Sequence, residues 1–284
     1  MDPKDGEMLI VLAKELSITK AAEKLYISQP ALSYRIKQIE KKFGAPIITR
    51  SQRGIQFTTE GEYVLNYARE MLTQLRKTKD LIENTSQHTT GTIRLGVSSN
   101  YAHYKLPYYL KQFLSKYPAV QIHVTTGWST DIMELLRKEE IQLAIVRGNH
   151  LWNQKKLLLH QEPICIVSKK EINLTDLPNL PRIDYKTDRS LDTILDSWWF
   201  EHYDEAPNIT MTVDKVETCK EMVKHGLGYA IIPQICLHDN DDLYMKYLKF
   251  NSQIQTRDTW LKYQDSLLEL SLIKSFINFL KSQI

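Results

Sequence analysis

Residues 20–44 read KAAEKLYISQPALSYRIKQIEKKFG. Two short helical runs flank a break at Tyr26-Ile27-Ser28. In the second run Leu32, Ile36, Ile39 and Phe43 recur at steps of four, three and four, which places them on one inward helix face. Gln29, Ser33 and Lys37 recur at fours on another face, with Pro30 and Tyr34 alongside. Ser28 is a candidate cap, and Pro30 is tolerated in a first turn because no intrahelical donor is needed there. The preceding run, Lys20 to Leu25, has Ser17 or Thr19 as its cap, and its small Ala21 and Ala22 permit a close crossing. A first helix spans about Gly6 to Leu16, with Met8, Leu9, Leu12, Ala13 and Leu16 on one stripe.

The charge distribution sharpens this pattern. The 284 residues carry a net charge of only +3. Residues 1–90 hold 14 Lys/Arg against 11 Asp/Glu, and the remaining 194 hold 23 of each. Between Lys20 and Arg53, eight cations face only Glu23 and Glu40. Such a local excess fits a phosphate backbone. Gln29 and Ser33 can hydrogen-bond base edges, while Lys37, Arg35, Lys41 and Lys42 can attract phosphates. Residues 46–61, PIITRSQRGIQFTTEG, read as two short strands, 47–49 and 54–58, joined by a turn that carries Arg50 and Arg53. Such a wing can set guanidiniums against phosphates or in a minor groove.

The segment resembles the winged helix-turn-helix of LysR-type transcriptional regulators. The motif residues are Ala21-Ala22, Leu25, Ser28-Gln29-Pro30-Ala31-Leu32-Ser33, Ile36, Ile39-Glu40, Arg50 and Thr58 to Gly61. One departure is Ile48, where the family usually has Phe two residues before the arginine. The candidate DNA-contacting residues are Thr19, Lys20, Ser28, Gln29, Pro30, Ser33, Tyr34, Arg35, Lys37, Arg50 and Arg53.

A long helix is expected next. Thr59 and Glu62 have capping-box spacing, and no proline interrupts the pattern before Asn84. Val64, Ala68, Met71, Leu75, Thr78 and Ile82 alternate steps of four and three, with Leu65 and Leu72 widening the seam. That is a coiled-coil-like stripe needing a partner. The resemblance implies that the partner is the same helix of a second chain; packing within its own chain is the alternative. Residues 84–91, NTSQHTTG, read as a hinge.

From Gly91 onward strands and helices alternate, the signature of α/β layers. Ser98, Ser99, Asn100, Trp128, Ser129, Thr130, Arg147 and Gly148 fall at strand ends or helix starts, where open α/β sheets hold ligands and helix amides favour anions. Arg257 lies on a late strand. For the two arginines a structural ion pair, with Asp184 or Asp258 for example, is equally consistent with the sequence.

The order of elements resembles the LysR effector domain: two Rossmann-like subdomains, similar to periplasmic binding proteins, with the last helix returning to the first subdomain. The fold expected is therefore an α/β effector domain behind an all-α winged helix-turn-helix and a linker helix. The domains are 1–58 for DNA binding, 59–90 for the linker and 91–284 for the effector domain. Within the last, 91–162 with 267–284 form one subdomain and 163–266 the other. Residues 126–129, 145–149, 213–220, 225–233 and 257–260 resemble the catabolite control proteins C and E, regulators of citrate-cycle genes that sense citrate. That resemblance implies citrate as effector, held by Ser98, Ser99, Ser129, Thr130, Arg147 and Arg257, with Asn100 and Trp128 as further candidates and Gly148 beside them. It also implies a repressor, a homodimer through the linker helix, a homotetramer, and RNA polymerase as a possible contact. Another small anion, such as an amino acid or a sulfur metabolite, is the rival effector.

The remaining features narrow the class. Cys165, Cys219 and Cys236 form no C-x-x-C pair, so no disulfide framework or zinc site is expected. Cys219 follows a helix start, a position that can lower a thiol pKa. HDNDD, 238–242, lacks the calcium-loop frame and reads as a solvated loop. WWF, 198–200, reads as buried helix surface, and His225-Gly226 as a helix stop. No nucleophile-base pair, metal frame or cofactor fingerprint supports an enzyme. The acidic N-terminal segment is no signal peptide and no apolar run spans a membrane, so a cytoplasmic location is expected.

Overall fold

A computed structural model describes residues 1–51, 54–83, 90–238 and 240–284. Arg53 and most of the expected hinge, 84–89, lie outside the described residues. The chain forms two compact units, 1–85 and 86–284.

The first unit contains α1 (Pro3–Glu15), α2 (Ile18–Lys24), α3 (Gln29–Phe43), β1 (Ile48–Ser51), β2 (Gly54–Phe57) and α4 (Thr59–Glu83). α1 starts earlier than its stripe predicts because Asp2 and Asp5 cap it reciprocally, with Pro3 in the first turn. Ser17, not Thr19, caps α2, its Oγ accepting from the Lys20 amide at 3.4 Å. Ser28 caps α3, accepting from the Ala31 amide at 3.3 Å, and Gly44 ends it at φ 72°. Leu32, Ile36 and Ile39 are buried with Met8, Leu9 and Leu12. Phe43, expected inward, is 41% exposed and meets Tyr67 of α4 edge-on at 6.2 Å. Periodicity cannot tell where along a helix the core stops.

α4 has 25 residues, about 38 Å at 1.5 Å per residue. Its cap is Thr58 rather than Thr59: Thr58 Oγ1 accepts from the Gly61 amide at 2.9 Å and donates to the Pro46 carbonyl at 2.7 Å. A Cβ on Gly61 would lie 2.0 Å from the Ile47 carbonyl oxygen. The T-x-x-G spacing thus combines a cap with a close backbone approach. The seam is divided. Val64, Leu65 and Ala68 are buried in this unit's own core beside α1, so within-chain packing accounts for the first half of the helix. Leu75 and Leu81 of the distal half are exposed.

The second unit begins with β3 (Gly91–Ser98), α5 (Ser99–Tyr104), α6 (Leu106–Lys116), β4 (Val120–Gly127), α7 (Ser129–Arg137), β5 (Leu143–Arg147) and β6 (Lys155–Ser168). It continues with β7 (Arg182–Tyr185), α8 (Arg189–His202), β8 (Ile209–Val213), α9 (Val216–Lys224), β9 (Ala230–Pro233) and β10 (Tyr244–Tyr247). The two-residue strands β11 (Lys249–Phe250) and β12 (Gln253–Ile254) precede β13 (Thr256–Tyr263) and α10 (Ser271–Lys281). The helix expected over 102–117 is split at Lys105, and α6 restarts with Pro107 in its first turn.

β3 lies between parallel neighbours β4 and β5, and β13 closes antiparallel against β5. β6 is longer than the run PICIVS predicts. Residues 155–163 pair with β13, and 164–168 pair with β9 and β10. One strand therefore serves both halves of the unit. β7 pairs in parallel with β8, and the Ile183 amide donates to the Tyr229 carbonyl just before β9. α10 packs on the first half, with Phe276 edge-on to Phe113 of α6 at 4.8 Å.

Two local expectations change. Trp198 and Trp199 are buried, their indole N–H groups donating to Lys249 and Glu205 carbonyls at 2.7 Å each, but Phe200 is exposed. The 238–242 loop is not simply solvated, although Asp239 lies outside the described residues. Asp241 is buried and accepts from Lys220 Nζ at 2.9 Å and from the His238 amide at 2.7 Å.

Candidate nucleic-acid interface and effector cleft

Sequence and fold combine in the first unit to display α3. Thr19, Lys20, Ser28, Gln29, Pro30, Tyr34 and Lys37 are exposed and Ser33 is half-buried. Gln29 Nε2 donates to Ser33 Oγ at 3.1 Å, and a guanidinium nitrogen of Arg50, from β1, reaches the same oxygen at 3.4 Å. The wing strand therefore meets the first turns of α3. The wing is also fixed from behind: the Ile55 amide donates to the Leu16 carbonyl at 3.0 Å. Arg35 turns partly inward, 4.0 Å from the Asp5 carboxylate, so part of its charge is answered within the unit. Tyr26, passed over by the periodic reading, is 96% exposed with a left-handed φ of 56° in the turn before α3.

A cavity of about 670 Å³ opens in the second unit. It lies where β3, β4, β5, β7 and β8 end and where β13 begins, because β13 runs antiparallel to β5 and sets Thr259 opposite Arg147. Ser98, Ser99, Asn100, Trp128, Ser129, Arg147 and Arg257 all line it. Thr130 and Gly148 do not. Thr130 is exposed one position further along α7. Gly148 has φ 86°, and a Cβ there would meet Ser190 Oγ at 2.6 Å, so it admits the start of α8 rather than lining the cavity.

His103, Gly127, Tyr185, Lys186, Thr187, Asp188, Asp214, Lys215, Val216 and Glu217 complete the lining and were not foreseen. Most follow the ends of β7 and β8, where the same strand-end rule applies. Ser129 Oγ accepts from the Arg147 amide at 3.1 Å, and Ser99 Oγ donates to the Gly127 carbonyl at 3.3 Å. Lys186 Nζ stands 5.9 Å from the centre of the Trp128 ring, facing it from the other half of the unit.

Both arginines are paired, but not with the carboxylates expected. Arg147 bonds Glu162 of β6, and Arg257 bonds Asp188 at the start of α8. Asp184 instead holds Arg182 at 2.7 Å, and Asp258 accepts from Gln161 at 2.9 Å. Arg147 is 2% exposed and Arg257 4%. Burial holds the Arg257 pKa below its usual value, and the nearby Arg147 charge adds to that effect. The pairs leave work undone. Ser98 Oγ, Tyr185 Oη and the Nε atoms of Arg147 and Arg257 are buried without a hydrogen-bond partner. Each such group costs about 1–3 kcal/mol until it is satisfied. All four residues line the same cavity, whose chemistry suits a small polar ligand. Across the lining, four Lys/Arg face three Asp/Glu, so its formal charge is slightly positive.

The thiols offer no reactive centre. Cys165, Cys219 and Cys236 are buried, and burial pushes each thiol up to about 12. The lowered value considered for Cys219 is reversed because desolvation outweighs the helix start. Among the described residues no cluster of His, Cys, Asp and Glu is arranged to hold a metal, and no helix is long and apolar enough to cross a membrane.

Comparison with known proteins covers both units. Residues 4–62 match the bacterial regulatory helix-turn-helix protein, lysR family, and residues 86–284 match the LysR substrate binding domain. The uncharacterized HTH-type transcriptional regulators YraN and YkuM, both of Bacillus subtilis (strain 168), are 50% and 33% identical to the chain. Each is matched over 100% of this chain and 98% of its own length. Full-length CbnR complexed with its target DNA has a TM-score of 0.71 at 16% identity, with 100% of both chains covered. A full-length OxyR variant from Pseudomonas aeruginosa has a TM-score of 0.67 at 18% identity, covering 99% of this chain and 95% of that one. These neighbours are transcriptional regulators, not enzymes. On the two domain matches and the full-length relatives, the chain belongs to the LysR family of DNA-binding transcriptional regulators.

Proposed function

We propose that this regulator reads operator DNA with α3 and the wing, and answers to a small carboxylate bound in the cleft of its α/β unit. The observation that carries the effector half is the group of buried, unpartnered donors on Ser98, Tyr185, Arg147 and Arg257 around one cavity. Guanidiniums and hydroxyls so arranged suit a carboxylate. Citrate is the first candidate, on the likeness of residues 126–129, 145–149, 213–220, 225–233 and 257–260 to the citrate-responsive regulators. Repression of central carbon genes is the matching output. The contact set is Ser98, Ser99, Asn100, Trp128, Ser129, Arg147 and Arg257, joined by Tyr185 and Asp188.

Ligand binding that favours one spacing of the two halves would bias one arrangement of paired DNA-binding units. The exposed apolar residues Leu75 and Leu81 in the distal half of α4 support a homodimer through that helix, with a homotetramer as the assembled form. Operator DNA, the effector and RNA polymerase are then the partners.

One observation favours a second effector class. Asp188, Asp214 and Glu217 share the lining with the cations, an arrangement that also fits a zwitterion such as an amino acid. Calorimetry with citrate, isocitrate, malate, sulfate and a panel of amino acids separates the readings. Citrate is expected to bind saturably at millimolar concentration or below; binding by an amino acid alone would replace it.

A further inference from the structure

The buried charges beneath the cleft form a closed series. Arg147 on β5 bonds Glu162 on β6, and Arg257 on β13 bonds Asp188. Arg257 and Glu162 are also direct cross-strand neighbours in the β13–β6 register. Two cations and two carboxylates thus compensate one another before any ligand arrives. An anion entering this site adds negative charge beside two pairs that already compensate one another. Binding is strengthened where one internal carboxylate gives up its arginine to the ligand.

The geometry points to Asp188 as that carboxylate: a resident competitor for Arg257 that the effector displaces, and through which the cleft signals to α8. This deepens the carboxylate reading and rests on it. Two observations single out Asp188. It lines the cavity, whereas Glu162 does not, so a ligand meets the Asp188–Arg257 pair first. It also stands at an element boundary: its Oδ1 accepts from the Leu191 amide at 3.1 Å as the cap of α8, while Oδ2 holds Arg257. Releasing Arg257 leaves the cap intact and frees the first turn of α8 from β13. The neighbouring contact is tight, with Gly148 at the end of β5 leaving no room for a Cβ beside Ser190 of that turn. A small displacement at Asp188 is therefore passed to a packed surface, not absorbed by solvent. Asp188 also sets specificity, because it repels any anion too weakly charged to replace it at Arg257.

The test uses the full-length protein and Asp188→Asn, which keeps a capping oxygen and removes the charge. Citrate titrated by calorimetry is expected to bind the variant at least about tenfold tighter, or about 1.4 kcal/mol. Equal or weaker binding by the variant overturns the competitor role and makes Asp188 a direct acceptor for a ligand donor. Hydrogen exchange gives a readout without ligand: amides 189–192 should exchange faster in the variant. Faster exchange with no citrate binding by either protein would retain the latch and discard citrate. Unchanged exchange would discard the latch even where citrate binds. Should the variant fail to fold, the unaltered protein still decides: saturating citrate must accelerate exchange at 189–192, and protection or no change there contradicts displacement.

Discussion

Gln29, Ser33 and Arg50 meet at the surface of the first unit, bonded mainly to one another. Arg147 and Arg257 lie almost fully buried in the second unit, each already bonded to a carboxylate. The contrast separates two ways of keeping charge available. A polyanion as large as DNA brings its own phosphates to exposed side chains, so the reading face can wait in water at little cost to folding. A small effector must be surrounded, so its binding groups are desolvated and must be compensated internally beforehand. Substitutions in the first face should therefore change recognition alone, and substitutions in the second should couple recognition to stability.

The strongest test of that contrast is Arg147→Ala. It leaves Glu162 buried without its cation and is expected to destabilise the α/β unit by about 3–5 kcal/mol, read by denaturant unfolding. Adding Glu162→Ala should restore part of the loss. A purely ligand-binding Arg147 would leave unfolding unchanged. Next comes Gly61→Ala, whose Cβ meets the Ile47 carbonyl. It should cost up to about 3 kcal/mol through overpacking, confined to the first unit, with effector binding retained.

On the exposed face, Gln29→Ala should weaken specific over nonspecific DNA binding by about 1–3 kcal/mol with no change in unfolding. Equal losses on both DNAs would make Gln29 a positioning group. Lys37→Ala should weaken binding to all sequences alike and lower the salt slope by about 1. The smallest effect is expected at the cysteines. With every thiol buried and held near 12, iodoacetamide at pH 8 should modify none of them until the protein unfolds, and rapid labelling of Cys219 would reopen a redox role.

The two units also differ in how far their sequences reveal them. Local signals carry the first: the Ser28 cap, the 32-36-39 spacing and the Thr58–Gly61 pair are each written within four to eight residues. What escapes is Phe43, because a helix repeats its spacing past the edge of the core, and the start of α4, where Thr58 and not Thr59 is the cap. The alternation of strands and helices makes the second unit readable as α/β, and seven of its nine expected cleft residues line one cavity. The pairings are not legible. Arg257 and Asp188 are 69 residues apart, and Arg147 and Glu162 are joined only because β6 and β5 both border β13. Asp258 stands next to Arg257 in the chain yet accepts from Gln161, 97 residues away, because sheet register, not proximity along the chain, decides who meets. The lining from Tyr185 to Asp188 and from Asp214 to Glu217 follows a rule that sequence can supply once β7 and β8 are known to point into the same cleft.

The central claim, that a carboxylate cleft in the second unit governs the DNA-reading face of the first, is tested most directly by fluorescence anisotropy. The full-length protein would be titrated onto a genomic fragment that it selects itself, with and without 10 mM citrate, about the upper end of a weak effector affinity, and beside Arg257→Gln. The account predicts that citrate shifts the affinity or the stoichiometry for the unaltered protein and leaves Arg257→Gln unmoved. A response that persists in Arg257→Gln, or the absence of any response to citrate and the other small carboxylates, would contradict it.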